Sequence, residues 1–161
     1  MVVGNERGWK IVKQWDVLTV GETMVVFIPE QKQLLRYVDR FKKGIAGAES
    51  NVAIGVSKLG HTSCWISKLG CDELGDYVLR EIRGEGVYVS EVIRDENAST
   101  GLMIKQFSEA NETSVFYYRR NSAASTLNKD NISEEMIQNS KIIHITGVTS
   151  ALSGSCAEMN L

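Results

Sequence analysis

Three features of the 161-residue sequence predict an α/β fold. Short apolar runs alternate with amphipathic helical stretches between residues 15 and 86, the rhythm of a parallel sheet flanked by helices. Three extended segments then follow one another between 87 and 120, which reads as a small separate sheet, such as a lid. Lys141-Ile-Ile-His-Ile-Thr146 is apolar again and is predicted to return the chain to the core sheet.

Residues 1–14 are polar and unpatterned and are expected to form a flexible tail, leaving 15–161 as one unit. Trp15–Val20 is a short buried strand ending at Gly21-Glu22, and Met24–Ile28 is a second extended segment before Pro29. Tyr37–Phe41 alternates and reads as an edge or lid strand. A glycine-rich turn from Gly44 then passes into a helix with Val52, Ala53, Val56 and Leu59 on one face. Lys58 sits in its last turn and Gly60 is placed as its stop. Thr62–Leu69 reads as a strand between two glycines. Leu74, Val78 and Ile82 mark a second amphipathic helix, with Asp76 and Arg80 spaced four apart in the order that favours an ion pair. The lid strands are expected from about 22–43 and 88–120, the second range built from Val87–Ile93, Thr100–Phe107 and Thr113–Arg120. Met136 and Ile137 lie in a short helical stretch, and Gly154 opens another helix.

Composition excludes several classes. A net charge of -2 gives no argument for nucleic acid or an anionic membrane as partner. No window approaches the length of a membrane span, and the N-terminus lacks the apolar core of a secretion signal. Three cysteines with no CxxC pair fit reduced thiols, so a cytoplasmic location is expected. Two dispersed histidines build no metal cluster. The Rossmann fingerprint is absent. Gly55 to Thr62 has the spacing of a P-loop but carries His61 where the lysine is required.

Two stretches carry chemistry. Gly44 and Gly47 let a ligand approach the backbone closely, and the helix start behind them offers unpaired N–H groups. Glu49 and Asn51 add a carboxylate and an amide there, which suits a polyhydroxylated ligand; a tight loop before a core helix is the alternative. In Val115–Ser125, Tyr117 and Arg119 share one face of a strand. An arginine can hold a carboxylate through two parallel charge-assisted bonds, and a neighbouring tyrosine hydroxyl can complete the grip. An exposed hairpin with Tyr117 packed is the alternative reading.

Gly44–Gly60 resembles the N-terminal signature of the ribokinase-like (PfkB) sugar kinases, with Ala46 where the first of two glycines usually stands. Ala48-Glu-Ser-Asn51-Val-Ala53 is most similar to the branch that phosphorylates 2-keto-3-deoxygluconate. Gly70-Cys-Asp72-Glu-Leu-Gly75 resembles the family's second marker, and Thr100-Gly101 its Thr-Gly step. Tyr117-x-Arg119 with Ser122–Ser125, and His144–Ser153, are similar to the same branch. The resemblance implies a sugar site at Gly44, Gly47, Asn51, Tyr117 and Arg119. It adds Glu22 at the end of the first strand, where a solvated loop carboxylate is an equal alternative. It adds Met103 where many relatives carry a substrate-touching tyrosine, which leaves the exact sugar open.

The resemblance further implies ATP and Mg²⁺ as cofactors, a small sugar acid as substrate, and a homodimer through the lid. The family's base and anion hole come from a Gly-Ala-Gly-Asp motif that these residues do not contain, so no catalytic residue is expected in them. The expectation is an N-terminal half that ends early and is inactive alone. A fructokinase- or ribokinase-type enzyme and a non-catalytic binding or oligomerisation module are the alternatives.

Overall fold

The computed structural model describes residues 2–5, 8–11, 13–107 and 112–159, the first two segments as backbone. In chain order the elements begin with β1 (Val2–Asn5), β2 (Gly8–Ile11), β3 (Trp15–Val20), β4 (Met24–Pro29), β5 (Phe41–Ala46) and α1 (Ala48–Lys58). Next come β6 (Ser63–Ile66), β7 (Lys68–Gly70), α2 (Glu73–Gly84), β8 (Ile93–Asp95), β9 (Leu102–Phe107) and β10 (Thr113–Tyr118). The chain closes with α3 (Glu134–Gln138), β11 (Ser140–His144), α4 (Gly147–Ser150) and α5 (Gly154–Met159).

The central sheet is parallel, in the order β11-β3-β6. All four residues of β6 are buried, as a strand covered on both faces must be. Leu18, Val20, Cys64 and Ile66 make one cluster; Trp65, Ala53, Val78 and Ile82 belong to another, formed with α1 and α2. Burial lifts the Cys64 thiol to about 12, so it packs as a small apolar side chain. The spacing of Leu74, Val78 and Ile82 gives α2 its apolar stripe, and Asp72 caps it by accepting the Gly75 N–H at 2.7 Å. Gly60 ends α1 at φ +83°, donating to Ser57 O while His61 N donates to Val56 O, the paired bonds of a left-handed helix stop.

A second sheet, β10-β9-β4-β5, is the lid. Period-two alternation gives it two distinct faces. Val25, Phe27, Ile45 and Leu102 point to the α1–α2 core, whereas Met24, Val26, Met103 and Val115 form a cluster on the opposite face.

Several expectations are corrected. Residues 2–11, expected within a tail, contain an antiparallel β1–β2 ladder, to which Val2, Val3, Trp9 and Ile11 bring strand-forming propensity. Leu35–Tyr37 is a 3-10 turn, so the strand read at Tyr37–Phe41 starts only at Phe41. Thr62–Leu69 divides into β6 and β7. The segment Val87–Ile93 is no lid strand: Tyr88 bridges Cys64, and β8 pairs parallel with β7, extending the core side. The lid's second part therefore narrows from 88–120 to β9 and β10. Leu59 lies past the end of α1 and is 79% exposed. Asp76 pairs with Arg94 at 2.5 Å and Arg80 with its neighbour Glu81, so the Asp76–Arg80 pair does not form. The last core strand stops at His144, and α4 starts at Gly147.

Candidate functional site

Glu22 follows β3 after Gly21, and its side chain is 2% exposed. A buried carboxylate needs partners. Ser122 Oγ donates to its Oε1 at 2.6 Å, and Arg119 Nη2 forms an ion pair with Oε2. Burial pushes the Glu22 carboxyl above its ordinary pKa, the Ser122 and Arg119 contacts pull it back, and Glu49 adds to the rise. Arg119 and Ser122 reach the same carboxylate because the chain reverses between them. Asn121 sits at φ +57°, and Ser122 N donates to Arg119 O at 3.1 Å. Asparagine tolerates that left-handed conformation better than most residues.

Met103 lies opposite Tyr117 in the β9–β10 ladder and opposite Val26 in the β9–β4 ladder, and Val26 faces Gly44. Tyr117, Met103 and Gly44 thus occupy one row across the lid, on one face of the sheet. Arg119 continues that face from Tyr117, with its guanidinium 5.9 Å from the Tyr117 ring centroid. An open cleft of about 1050 Å³ separates this end of the lid from α4 and α5. Tyr117, Arg119, Asn121, Val148 and Ser153 are among its lining residues.

Gly47 caps α1 and lies so close to Thr23 Oγ1 and the Glu22 carbonyl that a side chain would collide with both. Asn51 is exposed in the first turn of α1. Glu49 is buried instead of standing at the mouth: its Oε1 accepts from Thr146 at 2.5 Å and from Thr149 at 2.6 Å, tying α1 to α4. The structure therefore joins Glu22 with Arg119 and aligns Tyr117, Met103 and Gly44. Only Tyr117 and Arg119 of the seven line the cleft. Met103, 8% exposed, packs within the lid cluster. Sequence reasoning missed the anchoring by Ser122 and Thr149; a hydroxyl beside the predicted cation was the one available signal for Ser122.

The Gly70–Gly75 turn and the Thr100-Gly101 step are locked together near the root of the lid. Thr100 N donates to Asp72 Oδ2 at 2.8 Å, and Gly70 N donates to Thr100 Oγ1 at 3.0 Å. Among the described residues no group of three or more His, Cys, Asp or Glu side chains could hold a metal ion. No described helix is long and apolar enough to cross a membrane.

The fold and site can be set against known proteins. The chain is 46% identical to the 2-dehydro-3-deoxygluconokinase of Bacillus subtilis over 140 residues, 86% of this chain and 43% of that protein. A PfkB protein from Polaromonas superposes with a TM-score of 0.86 at 35% identity, covering 89% of this chain and 49% of that one. A sugar kinase of Pyrococcus horikoshii in complex with ATP superposes at 0.79 with 29% identity, over 89% of this chain and 47% of its own. The chain thus spans somewhat under half the length of these relatives. The family model for pfkB carbohydrate kinases matches residues 14–160, and the chain belongs to that family.

Proposed function

We propose that this chain forms the sugar-binding part of an ATP-dependent kinase for 2-keto-3-deoxygluconate or a close sugar acid. The observation that carries this reading is the position of Arg119 and Tyr117 together on the cleft. A cation with planar donors and an aromatic hydroxyl match a carboxylate next to a keto group, whereas fructose and ribose present no carboxylate. Arg119 would hold the carboxylate and Tyr117 would complete the grip. The backbone at Gly44 and Gly47, with Asn51, would take hydroxyls, and the similarity to the Bacillus subtilis kinase supports the same substrate class.

ATP, with Mg²⁺, supplies the phosphoryl group and its charge neutralisation in this chemistry. These residues contain no Gly-Ala-Gly-Asp segment, and no described acidic cluster suits a metal, so no phosphoryl step is assigned to them. The residues present do sugar recognition: they orient the acid and favour it over neutral sugars.

The test is a sugar panel, read by calorimetric binding and by an ATP- and Mg²⁺-dependent phosphorylation assay on the 161-residue chain. Binding of sugar acids without turnover is the expected result. Robust turnover by this chain would refute the assignment of base and anion hole to other residues. A homodimer through the lid is a second reading, favoured by the exposed Phe116 and Tyr118 on β10; a monomeric mass in light scattering would remove it.

A further inference from the structure

Glu22 has no direct role in holding a sugar acid. It is not among the cleft residues, and its carboxylate is already taken up by Ser122 and Arg119. Its surroundings are nevertheless built around it. Ser122 Oγ fixes Oε1 at 2.6 Å, and Gly101 lies so close that an added side-chain carbon would come within 2.6 Å of the same oxygen. Only a glycine at 101 leaves room for the carboxylate there, and its other oxygen meets Arg119.

We propose that Glu22 is a positioning residue, whose clamped carboxylate holds the Arg119 guanidinium at the cleft so that an anionic ligand meets a preset cation. This inference rests on the sugar-acid reading for the identity of the ligand, and on geometry alone for the clamp. A free arginine side chain has many rotamers to lose on binding. Glu22 engages Arg119 through one terminal nitrogen, and a guanidinium has five N–H donors in a rigid fork. Arg119 also lines the cleft, so the guanidinium is held there before a ligand arrives.

The arrangement gives Glu22 a titration signature. The charged groups facing it are Arg119 from the end of β10 and Glu49 from α1, with the Ser122 hydroxyl between the turn and the carboxylate. Burial and Glu49 favour the neutral acid, so on acidification the clamp opens at a pH above the ordinary value of a glutamate. A sugar carboxylate stays ionised across the same interval, so loss of affinity there reports on the protein.

The experiment uses the full chain with Glu22→Gln, and with Ser122→Ala as a second variant should the first fail to fold. Calorimetry measures 2-keto-3-deoxygluconate and fructose across weakly acidic to neutral pH. In parallel, the Arg119 Nε–H resonance of the ligand-free chain is followed by NMR. Both variants should weaken the sugar acid about ten- to hundredfold, leaving fructose unchanged. The acid-side loss of affinity in the parent should vanish in Glu22→Gln, and the ordered Arg119 signal should become averaged. Undiminished sugar-acid affinity in the variants, with the acid-side loss retained, would overturn the proposal. A parent chain that binds no sugar acid while its Arg119 signal still depends on Glu22 sinks the substrate reading and keeps the clamp. A parent that binds, with an Arg119 signal indifferent to Glu22, does the reverse.

Discussion

Asp72 and Thr100 hold each other across the junction of core and lid. Asp72 Oδ2 accepts the Thr100 N–H at 2.8 Å while Asp72 Oδ1 caps α2 through Gly75 N at 2.7 Å. Thr100 Oγ1 in turn accepts from Gly70 N at 3.0 Å. Burial pushes the Asp72 carboxyl up, but the Thr100 and Gly75 N–H groups, the Thr100 hydroxyl and Arg94 outweigh it, so its pKa is depressed. A carboxylate with a depressed folded pKa stabilises the fold above the ordinary carboxylate range and loses that contribution as pH falls through the folded value. Asp72→Ala should cost about 2 kcal/mol at neutral pH, from the lost cap and an orphaned N–H. Urea denaturation measures it, and the gap to the parent should close on acidification.

Asn121 is the only described non-glycine residue with positive φ. Its conformation sets the reversal that brings Ser122 back beside Arg119. Asn121→Gly should keep the reversal and its stability. Asn121→Val should lose about 1–2 kcal/mol and weaken the acid, as read by thermal melting and calorimetry. Equal behaviour of the two variants would remove the turn from the account.

Met103 occupies the middle of the lid row and is packed with Met24 and Val26. Met103→Leu should cost less than about 1.5 kcal/mol and leave sugar-acid affinity unchanged. Met103→Ala should cost about 3 kcal/mol through the cavity it leaves. Urea denaturation gives both numbers. A large loss of affinity in the leucine variant would return Met103 to the ligand.

Asp16 ties three strands at the opposite end of the sheet. It accepts from Lys141 Nζ at 2.5 Å and from Thr62 N at 2.9 Å. Lys141 first, and then Thr62, hold its carboxyl far below the ordinary range. Its contribution is present at neutral pH and is lost as pH falls through the depressed value. The difference in melting temperature between the parent and Asp16→Asn should therefore shrink steadily on acidification; a constant difference would show that Asp16 acts by packing alone.

Local signals in the sequence were legible where local chemistry sets the structure. The four-residue spacing of Leu74, Val78 and Ile82 and the Gly60 stop describe α2 and α1 as they stand. Leu59 kept the helical period but lies past the last turn, because a periodic pattern does not mark where the helix ends. Val87–Ile93 was assigned to the lid because extended segments look alike; their partner strand is a tertiary choice. The parallel sheet with a β lid was legible, as the solved relatives bear out. At the site, Arg119 and Glu22 could each be named from pattern. That they occupy one another could not, since a long-range ion pair leaves no periodic trace.

The proposed function turns on Arg119 selecting a carboxylate. Its most direct test is the affinity of the chain for 2-keto-3-deoxygluconate relative to fructose, by calorimetry, in the parent and in Arg119→Ala. The account predicts that the parent prefers the acid and that the substitution removes that preference, through loss of the acid alone, by about tenfold or more. An acid preference that survives Arg119→Ala, or equal loss of both sugars, would contradict it.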